Sequence, residues 1–241
     1  MAQAKNKQIK SKRRVTDHGE VFTAEREVNA MLDLVKQETE RIDSTFLEPA
    51  CGNGNFLAAI LKRKLAVVDI IGKGKPGIWE SESIKALMSL YGVDLLSDNV
   101  EECQLRLYGI WNEAYSKVCK KECSDQCRNT AMFILKRNIL CGDALTLKDS
   151  EGKPIIFSEW SWIGNGRVKR RDFRLDVLMM ENRDPNSYDD NNMQLSLFAD
   201  EATGSENWMV DSLTGQSTPA PIAEYPLMHY SRLQEAGLYG T

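Results

Sequence analysis

Three carboxylates and a pair of glycines in this chain have the types and spacing of a nucleoside site. The run FLEPACGNGNFL, 46–57, carries Glu48 at the end of an apolar stretch. Pro49 and Ala50 follow, and then a Gly-x-Gly turn at Gly52 and Gly54. Glycine is needed where a backbone turns sharply and comes close to a ligand. A loop of this kind after a parallel strand faces the crevice where small molecules bind. The third glycine of the dinucleotide fingerprint is missing, because Leu57 holds its place. Asp94 ends the run YGVD, and a carboxylate at that tip can accept from the hydroxyls of a ribose. Asp143, in CGDAL, stands at the end of a third apolar run and can accept from an exocyclic amine. Each aspartate alone is equally a helix cap or a turn residue. Their repetition after successive strands is what singles them out.

Cys119, Cys123 and Cys127 recur every fourth residue. On one continuous helix they would share a face. They are read either as a metal or cluster site or as a face of plain thiols. The usual zinc pairs are closer, and no fourth ligand accompanies them, His18 and His229 being the only histidines.

The elements that must position these groups alternate. Residues 24–41 place Val28, Met31, Leu32 and Val35 at helical spacing, with Thr23 as a candidate N-cap. A strand is expected at 46–50, a helix at 56–68, a loop at 72–77 and a helix at 80–90. A strand follows at 91–96, then helices at 98–119 and 129–137 and a strand at 138–145. That order predicts an α/β fold with a mainly parallel sheet and crossover helices. Beyond about residue 150 a strand at 155–163, a turn at Gly164–Gly166 and a basic second strand lead into a helix. Three segments are expected: a basic flexible arm at 1–18, the ligand-binding domain at 19–180, and a polar linker with an irregular C-terminal tail at 181–241. The tail 224–239 is amphipathic and folds back or meets a partner.

The chain has 241 residues, 42% hydrophobic and 27% charged, as a globular domain has. No apolar run reaches a membrane span and the N-terminus lacks a secretory core, so a cytoplasmic protein with free thiols is expected. The net charge is −4. Even so, basic residues cluster at 5–14 and again at Arg167, Lys169, Arg170, Arg171 and Arg174. These clusters are either phosphate contacts or solvated faces.

Taken together, GEVFT (19–23), FLEPACGNGNFL, YGVDLL (91–96) and CGDAL resemble the cofactor motifs of adenine-N6 DNA methyltransferases of restriction-modification systems, in that family's order. The resemblance covers residues 19–145. It implies a Rossmann-like methyltransferase fold and S-adenosylmethionine as cofactor. Phe22 and Thr23 would then lie near the methionine moiety, and Glu48, Pro49, Ala50, Gly52 and Gly54 would wrap it. Asp94 with Leu95 would hold the ribose, and Asp143 with Ala144 would read the adenine edge. It further implies double-stranded DNA as substrate, with Lys169, Arg170, Arg171 and Arg174 as candidate contacts.

The same family carries an acid or amide, two prolines and an aromatic residue that hold a flipped base. No Pro-Pro pair occurs in this chain. WIGNG, 162–166, lies at the expected distance and makes Asn165 the catalytic candidate, with Trp160 and Trp162 beside it. Asn165-Gly166 is also a hairpin-turn dipeptide. A second subunit supplying the catalytic loop or target recognition is therefore expected. The alternatives are a catalytically inactive binding subunit and, less well matched by GEVFT and the basic clusters, a small-molecule methyltransferase. Gln194, Leu195, Leu197 and Phe198, in QLSLF, resemble the short peptides that dock on the replication sliding clamp. The other reading of that segment is a tail strand packed on its own domain.

Overall fold

The computed structural model describes residues 10–18, 20–181, 207–210 and 217–238. The chain divides into two compact units, Met1–Cys141 and Gly142–Thr241. Among the described residues no helix is long and apolar enough to cross a membrane.

The first unit is built on a parallel three-stranded sheet with β1 at Phe46–Glu48, β2 at Leu90–Asp94 and β3 at Ile139–Cys141. The order is β1-β2-β3, with Glu48 opposite Gly92 and Gly92 opposite Ile139. Parallel neighbours need long crossovers. Helices α4 (Asn55–Ile71) and α5 (Pro76–Met88) make the first, and α6 (Ser97–Cys119) and α7 (Asp125–Asn138) the second. Three helices precede them: α1 (Lys12–His18), α2 (Glu25–Asp33) and α3 (Lys36–Thr39).

Local chemistry accounts for these boundaries. Pro76 takes the first turn of α5, where its missing N–H costs nothing, so the helix begins inside the loop expected at 72–77. Ser124 caps α7 by accepting from the Cys127 N–H at 3.1 Å, a contact of about 1 kcal/mol. In α6, Val100, Cys103, Leu107, Trp111 and Tyr115 form a buried stripe at spacings of three and four. Trp111 stacks on Tyr115 at 4.7 Å and Tyr115 on Trp79 at 6.1 Å, tying α6 to α5. Their polar ends are satisfied: Trp111 donates to Ser83 at 2.9 Å and Trp79 to Asp69 at 2.6 Å.

Three readings are corrected here. The segment 24–41 breaks at Leu34–Val35 into α2 and α3, because only Val28 and Leu32 of its apolar set find the core. Met31 and Val35 stay 55% and 46% exposed. Ala24, not Thr23, stands at the N-cap, with no side-chain bond. Nor do the three cysteines share a helical face. Helix α6 stops at Cys119, Lys120 turns the chain at φ +48°, and Cys127 belongs to α7. All six cysteines are free. Among the described residues no cluster of His, Cys, Asp and Glu could hold a metal.

Lys64 of α4 is fully buried. Its Nζ donates to the carbonyls of Arg41, Ile42 and Ser44 at 2.8, 2.9 and 2.6 Å. One side chain thus satisfies the backbone that feeds β1, and burial pushes its pKa down to about 7.

In the second unit β4 (Ile156–Gly164) and β5 (Arg167–Arg174) form an antiparallel hairpin. Its tip is Asn165-Gly166, with φ +50° and +71°, the positive pair a tight hairpin turn demands. α8 (Leu175–Glu181) follows. β6 (Trp208–Val210) pairs antiparallel with β7 (Ser217–Pro219). β8 (Ala223–Glu224) and β9 (Met228–His229) pair with β5, and a 3-10 segment ends the described chain at Tyr230–Leu238.

Candidate functional site

The glycine loop leaves the carboxyl end of β1 and enters α4. Gly52 and Gly54 both have positive φ, +51° and +83°, the region an L side chain avoids. Space gives a second reason for glycine. A Cβ at Gly54 would stand 2.6 Å from the Cys103 Sγ, and one at Gly52 would stand 3.1 Å from the Phe22 ring. Gly92 of β2 is equally tight, with Cys51 and Leu57 at 3.0 Å from its position. The loop is therefore held between Phe22 on one side and α6 on the other.

Asp94 closes this arrangement from the adjacent strand. Its Oδ2 accepts from the Gly52 N–H at 2.8 Å. Its Oδ1 accepts from the Leu96 N–H at 2.9 Å and the Asn99 amide at 3.1 Å. A carboxylate has about four lone-pair sites, so about one remains for a ligand hydroxyl. Glu48 is half-buried at the start of the loop. Desolvation raises its pKa, opposed by a bond from the Ala50 N–H. Cys51 is buried within the loop, where its thiol–thiol hydrogen bond with Cys103 and then its burial push the thiol pKa up, leaving it unreactive at neutral pH.

Several partners were not read from the sequence. Asn99 is 1% exposed and bridges Asp94 to Glu20, donating to the Glu20 Oε1 at 2.7 Å. Arg14 pairs with Glu20 at 2.7 Å and with Asp98 at 2.5 Å. Lys10 reaches Glu102 at 2.6 Å and the Asn99 side-chain oxygen at 2.8 Å. Lys10 and Arg14 of the basic arm are thus bound to the start of α6. Asn55 donates to the Thr23 carbonyl at 2.9 Å and accepts from Arg106. An amide five residues beyond the strand-tip acid was the available signal for Asn99.

Of the residues singled out in the sequence, Phe22, Thr23, Glu48, Gly52, Gly54 and Asp94 come together in the first unit. Pro49 and Ala50 are exposed on the same loop, and Leu95, beyond Asp94, is 59% exposed. Asp143 lies near the start of the second unit, where its Oδ1 accepts from the Leu145 N–H at 2.8 Å and closes a turn through Ala144. Asn165 is the exposed hairpin tip, and the turn accounts for its residue type. Trp162 stacks on Tyr230 at 5.6 Å.

The four basic candidates divide. Arg170 is 2% exposed, bonded bidentately to Asp172 at 2.9 and 2.6 Å and stacked at 3.8 Å on Tyr225. The expectation that it contacts DNA is corrected, because a buried, paired guanidinium presents nothing to a phosphate. Arg174 is held bidentately by Asp176. Lys169 and Arg171 stay partly exposed beside Glu224 and Glu159. Gln194, Leu195, Leu197 and Phe198 lie outside the described residues.

Compared with family models, with curated proteins and with solved structures, the chain matches none.

Proposed function

We propose that the chain is the S-adenosylmethionine-binding part of a DNA adenine-N6 methylating system, on a Rossmann-like sheet. One observation carries the reading: the 2.8 Å bond from the Gly52 N–H to Asp94, which joins a glycine loop and a strand-tip acid at the carboxyl ends of neighbouring parallel strands. Ligands of open α/β sheets bind at such ends. The residues present suit the cofactor. The loop is exposed at Pro49 and Ala50, so an amino-acid moiety can approach it there. Asp94 has an acceptor site left for a ribose hydroxyl, and Phe22 offers an apolar wall. Bound there, the cofactor would supply a methyl group on a sulfonium, and no metal is needed for that chemistry. The protein's part is to fix the donor's orientation and shield it from water. Isothermal calorimetry with S-adenosylmethionine tests the pocket. Asp94→Ala is expected to weaken binding by about 1–3 kcal/mol, the cost of losing a charged acceptor. An unchanged affinity, or no binding by the wild type, ends the reading.

A further polypeptide is part of this proposal. Among the described residues β1 pairs only with β2, and Leu47 on β1 is 41% exposed. A strand added beside β1 would continue the sheet and bring the Pro-Pro-aromatic loop this chain lacks. Methyl transfer to duplex DNA should therefore need the product of a neighbouring reading frame. Full turnover by the chain alone would refute the split.

A further inference from the structure

We propose that the outward face of the β4–β5 hairpin, marked by Arg167, Lys169 and Arg171, is a docking surface for the phosphate backbone of double-stranded DNA. It rests on the methylation reading only for the choice of DNA as the nucleic acid.

The argument begins with strand parity. Successive side chains of a strand point to opposite faces. In β5 this separates a basic run that looks uniform in sequence. Val168, Arg170 and Asp172 turn inward and are 0%, 2% and 5% exposed, opposite Trp162, Trp160 and Ser158. Arg167, Lys169 and Arg171 turn the other way. Arg167 is exposed, and Lys169 and Arg171 keep 32% and 33% of their side-chain surface. Alternate residues of a strand are about 6.8 Å apart. Three cations at that spacing along one strand present a row of positive charge to a row of phosphates.

The inward face makes the outward one rigid. Arg170 is clamped by Asp172, which also accepts from Ser158 at 2.7 Å and from Tyr225 at 3.1 Å. β8 and β9 pair with the far edge of β5. The backbone that carries the three cations is thus fixed before any partner arrives, which limits the ordering cost of binding.

Two acids share the face. Glu159 pairs with Arg171 at 2.7 Å and Glu224 with Lys169 at 2.8 Å. Exposed pairs of this kind contribute little, and a phosphate offers each cation a stronger acceptor with release of counterions. Arg167, nearest the hairpin tip, has the greatest freedom to reach.

The test is fluorescence anisotropy of a labelled 20-base-pair duplex between 50 and 200 mM salt. Three proteins are compared: wild type, the triple variant R167Q/K169Q/R171Q, and a control, K62Q/K121Q/K136Q, with the same charge change on the first unit. Three lost phosphate contacts should reduce the magnitude of the negative slope of log K against log salt by about 2.7. The control should keep the wild-type slope. Equal slopes for both variants, or no binding at 50 mM salt, overturn the proposal. So does equal affinity for duplex RNA of the same length. Circular dichroism and cofactor calorimetry on the triple variant separate the outcomes. A folded variant that binds S-adenosylmethionine normally while losing the slope isolates the surface. A wild type that binds DNA with the expected slope and no cofactor leaves the surface standing and removes the pocket.

Discussion

Gly54→Ala is the sharpest probe of the loop, because two separate costs meet at one atom. The residue has φ +83°, where an L side chain is strained by about 1–2 kcal/mol. The added methyl would also stand 2.6 Å from the Cys103 Sγ and 3.4 Å from its Cβ. Cys103 is fully buried on α6 and cannot swing into solvent. Overpacking there adds about 1–3 kcal/mol. The substitution should therefore cost about 2–5 kcal/mol in the wild type. In a Cys103→Ala background the sulfur is gone and the remaining Cβ contact is ordinary, so only the backbone strain of about 1–2 kcal/mol should remain. Urea unfolding of the wild type, the two single variants and the double variant yields the coupling directly. A value of about 1–3 kcal/mol in favour of the double variant is expected. Additive costs would mean that the loop does not rest on α6 at Cys103.

Two pH experiments follow from the charged groups. Burial lowers the Lys64 pKa from its ordinary value near 10.5 to about 7. Between those values the unfolded chain holds more protons than the folded one, so this group makes stability rise with pH over that window and adds no slope below it. Lys64→Met should flatten the rise in urea midpoints from pH 7 to 10, and parallel curves for the two proteins would exclude the assignment. The bond from Arg14 depresses the Asp98 carboxyl to about 2. Its contribution is therefore present above the ordinary carboxylate value of 3.8 and is lost as pH falls towards 2. Arg14→Gln should return the Asp98 titration, followed by carboxyl NMR, towards 3.8, and an unmoved midpoint would contradict the pairing.

The local elements of this protein are written in its sequence because their causes are local. The stripe Val100, Cys103, Leu107, Trp111 and Tyr115 can only be one helix face. Gly52 and Gly54 mark a turn that other residues resist, and Asn165-Gly166 fits a hairpin tip of positive φ. The succession of apolar runs and helical stretches is enough for a parallel three-stranded sheet, since parallel neighbours require such crossovers. Tertiary structure decided what no spacing contains. The run from Arg167 to Arg174 reads in sequence as one basic strand, but which of its residues face inward depends on Tyr225, more than fifty residues away, closing over Arg170. The bridge from Glu20 through Asn99 to Asp94 joins residues 79 and 5 apart in sequence, and only the folding of one segment onto α6 creates it. The apolar period of 24–41 likewise promised one helix. The core had room for Val28 and Leu32 alone, so the chain turned where burial had nothing more to give.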